Sequence, residues 1–98
     1  MTESTVTPAF ANIFEELGFS ASESEHLIIR ADLMLQIRRR IQTQQWSVEQ
    51  AATQCQTDPD RIEALMQGKI GEFTIEQLIT LLSHAGLKIR LEVVADAA

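Results

Sequence analysis

The sequence predicts a mainly α-helical domain of five helices closed by one C-terminal strand, and three observations predict it. Apolar residues recur at three-and-four spacing through most of the 98 residues, and the chain is 45% hydrophobic but only 5% aromatic, which suits a modest core of Leu, Ile and Ala. Helix-start signals repeat along the chain: Ser20 with Glu23, Ser22 with Glu25, Ser47 with Gln50 and Thr74 with Gln77 all have the spacing at which a hydroxyl and a side chain three residues on satisfy each other's backbone N–H groups. The final stretch, LKIRLEV from Leu87, alternates apolar and charged residues at period two, the pattern of a half-buried strand.

In chain order, residues 1–7 are polar and without periodicity and are expected to be a disordered tail, leaving residues 8–98 as a single domain. The first helix, 8–17, sets Phe10, Ile13, Phe14 and Leu17 on one face and stops at Gly18. A long helix follows from a Ser20 or Ser22 cap to Gln44. Its first half, from Leu27 to Leu35, is apolar around most of its circumference and needs covering on more than one side. The third helix, 48–55, turns Val48, Ala51, Ala52 and Cys55 inward, and these are small enough for another helix to cross close above. The fourth starts at an Asp58 cap with Pro59 in the first position, where its missing N–H is harmless, and stops at Gly68. Ile62, Leu65 and Met66 form its apolar stripe, with Asp60, Arg61, Glu63, Ala64 and Gln67 outward. The fifth helix, 75–85, carries Leu78, Ile79, Leu81, Leu82 and Ala85 and ends at Gly86; the strand then spans 87–94.

Two short helices with small residues at their crossing and a three-residue break make 46–69 a helix-turn-helix in sequence form. In that motif the start of the second helix points into the DNA major groove. Arg61, the one base there, is the candidate for a guanine contact, with Gln56, Asp60, Glu63 and Ala64 around it. Arg38, Arg39, Arg40 and Lys69 are candidates for phosphate contacts. The structural alternative for the three arginines is that cations in the last turns of a helix complement its dipole.

The spacing resembles the Xre, or lambda Cro and repressor, family of helix-turn-helix proteins. Ser47 stands where that family has its leading Ser or Thr, Ala51 and Ala52 where it has its packing Ala, and Gly68-Lys69 where its second helix stops. Together with FEELGF from Phe14, GEFTIEQL from Gly71 and LKIRLEVV from Leu87, the chain resembles small Xre-type antitoxins of toxin–antitoxin pairs. The resemblance implies a Cro/repressor-like fold, double-stranded operator DNA as partner, a DNA-facing Ser47, and a regulator repressing its own operon. The chain departs from the family pattern at Val48, at Gln56, where the turn usually has Gly, and at Pro59 and Asp60.

With fourteen acidic against eight basic residues, the net charge of -6 is the wrong sign for binding nucleic acid by overall attraction, so any DNA contact must come from a local patch. A rival reading follows: an interaction module whose helix-turn-helix no longer binds DNA and whose acidic surface neutralises a basic toxin. A lone cysteine, Cys55, and the lack of a signal peptide or long apolar run point to a reducing cytoplasm and no membrane. His26 and His84 lack metal-ligand spacing, and no phosphate loop or nucleophile arrangement is present, so neither an enzyme nor a cofactor or metal is expected. Since one strand cannot form a sheet, Leu87, Ile89, Leu91 and Val93 are expected to pair with the same strand of a second subunit, making a homodimer.

Overall fold

The structure, a computed structural model, describes residues 16–95. Four α-helices run through them: α1 (Ala21–Gln44), α2 (Val48–Cys55), α3 (Pro59–Met66) and α4 (Ile75–His84), with a 3-10 turn at Ile70–Glu72. The expected first helix lies outside the described residues except at its last two positions. Beyond it Gly18 takes φ 93°, a conformation a stop glycine adopts without steric penalty.

Three of the helices begin as their sequences specify. Ser20 with Glu23, Ser47 with Gln50 and Thr74 with Gln77 each form both halves of the capping box, which selects Ser20 over Ser22 for α1. The fourth start differs. Asp58 occupies the cap position of α3, yet its side chain makes no capping hydrogen bond. The Arg61 N–H, the donor such a cap would serve, is instead taken by the Asp58 carbonyl at 3.0 Å, and Pro59 has no N–H to offer.

α1 is the mast of the fold. Leu33, Met34, Ile37 and Ile41 meet Ala51, Ala52 and Cys55 of α2, Ile62, Ala64 and Leu65 of α3, Phe73, and Leu78, Leu81, Leu82 and Ala85 of α4 in one cluster. Small side chains on α2 let α3 cross it closely, and Val48, Met66 and Ile75 close the edges. Two arginines tie the mast to the chain that folds back on it: Arg30 donates to the Ile70 carbonyl at 3.4 Å and Arg40 to the Ala85 carbonyl at 3.0 Å. His84 makes a similar link, its Nδ1 lying 3.0 Å from the Cys55 carbonyl at the end of α2.

No strand forms among the described residues. Leu87 still packs on the core and donates to the Leu82 carbonyl at 3.0 Å, but residues 87–95 have no regular secondary structure. The alternation read from the sequence is present without a cover: Ile89, Leu91 and Val93 are 39%, 81% and 86% exposed. Among the described residues this segment has no ladder partner with which to complete a sheet.

Candidate nucleic-acid interface

The site is built from the buried side outward. Ala51 and Cys55 on α2 and Ile62 and Leu65 on α3 are all 0% exposed, so the angle between the two helices is fixed by side-chain contact. The turn between them is fixed by backbone. Gln56 takes φ 56°, and its N–H and that of Thr57 return to the Thr53 and Ala52 carbonyls at 3.3 and 2.9 Å, satisfying the end of α2. Burial raises the pKa of the Cys55 thiol, which keeps it neutral and inert and consistent with packing rather than chemistry.

On the outer side, Asp60 and Glu63 of α3 and Gln67 at its C-terminal cap are exposed, as are Gln56 and Ser47. Ser47 Oγ accepts the Gln50 N–H at 3.1 Å, a bond that leaves the hydroxyl its own proton to donate. Ala64 does not belong to this surface. It is buried within the core cluster, because the α3 stripe is one position wider than its large residues suggest.

Arg61 is half-buried and held. Its guanidinium carbon lies 4.1 Å from the centroid of the Phe73 ring, and Nη2 donates to Gln77 Oε1 at 3.2 Å. Neither partner is within the motif, and sequence reasoning missed both. Gln77 carried a local signal as a helix cap, but a contact sixteen positions from Arg61 has no local signature.

The phosphate candidates separate. Arg39 is exposed on α1; Arg40 is committed to the Ala85 carbonyl; Arg38 is half-buried with its Nε sealed from solvent and without a hydrogen-bond partner. Of the three, Arg39 alone is exposed, while Arg40 gives its Nε–H to the carbonyl that follows α4. Lys69 is exposed and 4.0 Å from Glu72, a surface pair that contributes little and leaves the ammonium accessible. Exposed carboxylates stand along the same stretch of chain, at Glu49, Asp58, Asp60 and Glu63 within the motif and at Glu72 and Glu76 just beyond it.

Among the described residues no group of three or more His, Cys, Asp or Glu is placed to hold a metal ion, and no helix is long and apolar enough to cross a membrane. Two helices locked by small residues about a left-handed turn, with the second presenting its first turn to solvent, define a helix-turn-helix protein. The family model described as helix-turn-helix domain matches residues 13–94, and the chain belongs to that family. Comparison with curated proteins and with solved structures returned no match.

Proposed function

We propose that the protein is a sequence-specific DNA-binding transcriptional regulator of the Xre type, acting in the cytoplasm as a homodimer and serving as an antitoxin that represses its own operon. The observation that carries this reading is the first turn of α3, where Arg61 stands beside exposed Gln56, Asp60 and Glu63 on a rigid two-helix frame. Repression is steric and involves no catalysis: two subunits occupy half-sites about one helical turn apart and exclude polymerase. Arg61 reads a base, Asp60 and Glu63 repel wrong sites, and Arg39, Lys69 and Ser47 hold the backbone.

The alternation of the C-terminal segment and the exposure of Ile89, Leu91 and Val93 support the dimer. In an antiparallel pair centred on Leu91, Ile89 faces Val93 of the second copy on one side, and Arg90 faces Glu92 on the other, so apolar and opposite charges meet together. The test is binding to the gene's own upstream DNA against random duplex at low salt, with the mass of the complex measured. Preference for the upstream region by a dimer supports the reading, and equal weak binding to both defeats it.

A second reading has its own observation, the exposed carboxylates of the helix-turn-helix, Glu49, Asp58, Asp60 and Glu63, in a chain of net charge -6. In it the face no longer takes DNA and the protein neutralises a basic toxin. Tight binding of such a partner by a protein indifferent to upstream DNA selects this alternative.

A further inference from the structure

We propose that Phe73 and Gln77, which lie outside both helices of the motif, are positioning residues that hold the Arg61 guanidinium in its base-reading orientation before DNA arrives; this rests on the DNA-binding reading. The three side chains make a clamp with two fixed jaws. Phe73 is 2% exposed, so its ring is immobilised by the core, and the guanidinium stacks over it at 4.1 Å. Gln77 Oε1 is fixed independently, because it also accepts the Thr74 N–H at 3.0 Å as part of the α4 cap, and from there it accepts Arg61 Nη2 at 3.2 Å. The ring contact fixes where the fork lies, and the hydrogen bond limits how it can turn.

Two features distinguish a reading head from a strut. The first is donor capacity: a guanidinium carries five N–H donors and Gln77 takes one, leaving the pair of donors a guanine requires. The second is the chemistry of the jaw. Carboxylates abound nearby, at Asp60, Glu63 and Glu76, yet the partner that holds Arg61 is a neutral amide. A carboxylate there cancels the charge and competes with the base; an amide orients the fork and leaves its charge intact. Fixing an arginine ahead of binding removes an entropy loss from the binding step, so a protein with few basic residues gains discrimination from one well-held side chain.

The experiment uses the full chain and a random-sequence duplex pool to select a preferred site, followed by anisotropy titrations on that site, on each single-base replacement and on random duplex. Wild type, Arg61→Ala, Phe73→Leu, Gln77→Ala and Thr74→Ala are compared. Phe73→Leu keeps apolar volume and removes the ring; Thr74→Ala weakens the same helix cap as Gln77→Ala while leaving the amide in place. Arg61→Ala is expected to erase the preference at one base pair. Phe73→Leu and Gln77→Ala are each expected to reduce that preference by about threefold or more, with affinity for random duplex changed by less than about twofold, and Thr74→Ala to leave the ratio intact. Side-chain NMR of the free protein gives a readout that needs no DNA: the Arg61 Nε–H is expected to be rigid in wild type and mobile in Phe73→Leu and Gln77→Ala. If Phe73→Leu does not fold, the Gln77→Ala and Thr74→Ala pair carries the test. A wild type that selects a site, with Phe73→Leu and Gln77→Ala retaining the full ratio or Arg61→Ala retaining it, overturns the clamp and leaves the DNA reading standing. A wild type that enriches no sequence defeats the DNA reading itself, and the clamp with it.

Discussion

The helix-turn-helix and the C-terminal segment are both strongly patterned in sequence, and the chain treats them in opposite ways. Leu65 of α3 is 0% exposed, whereas Leu91, equally regular in its spacing, is 81% exposed. The helical stripe finds its complement within the same chain, on α1 and α2, while the period-two stripe beyond Leu87 is left exposed among the described residues. A pattern specifies which face is to be covered and is silent about which molecule covers it.

Leu65→Ala sharpens that contrast most. It removes a fully buried side chain and is expected to cost about 2–5 kcal/mol at every protein concentration, measured by denaturant unfolding. Deletion of everything after Gly86 is expected to act differently: the dimer gives way to monomer in sedimentation, and the melting temperature loses its dependence on concentration. A truncated protein that still sediments as the wild type does removes the strand-pairing idea. These two variants together tell in-chain cover from cover by a second copy.

The turn offers a smaller effect of opposite sign. A left-handed residue with a side chain carries roughly 1–2 kcal/mol of strain, and glycine gives part of that back as unfolded-chain entropy, so Gln56→Gly is expected to raise stability by about 0.5–1 kcal/mol. A neutral or lower thermal midpoint contradicts the φ of 56° at this position.

The smallest effect is a pH dependence confined to one of the three capping boxes. Hydrogen bonds with the Ser20 backbone and hydroxyl hold the Glu23 pKa below its ordinary value, whereas the corresponding positions of α2 and α4 are the neutral Gln50 and Gln77. A depressed carboxylate stabilises at pH above its unfolded value and loses that contribution as pH falls through the folded one. The protection of the Ser20 amide, its exchange rate relative to that of an unstructured chain at the same pH, is expected to fall on acidification below the ordinary carboxylate range, with the protection of Ser47 and Thr74 unchanged. An equal fall at all three would mean global loosening instead.

What was legible in the sequence was whatever a few neighbouring residues decide. Capping boxes, the Pro59 start and the glycine stops fixed the helices at close to their observed limits, and the small residues of α2 announced the crossing. Ala64 was misplaced because a methyl group carries almost no periodic signal of its own. Asp58 was misjudged as a side-chain cap because backbone competition for the Arg61 N–H cannot be seen in residue identity. The clamp around Arg61 and the commitment of Arg40 to the Ala85 carbonyl join positions sixteen and forty-five residues apart, a distance that no local pattern encodes.

The internal engagement of Arg30 and Arg40 has a thermodynamic consequence. Of the eight Lys and Arg in the chain, these two each give one N–H donor to a carbonyl of their own protein, which tethers the guanidinium to the chain and shortens its reach toward a phosphate. If Arg39 and Lys69 are the cations that meet phosphate while Arg61 meets a base, ion release amounts to a slope of about -2 in log affinity against log salt per subunit, and about -4 for a dimer. Such a protein adheres only loosely to bulk chromosomal DNA, and most copies stay in free solution until a matching site, rather than charge alone, holds them.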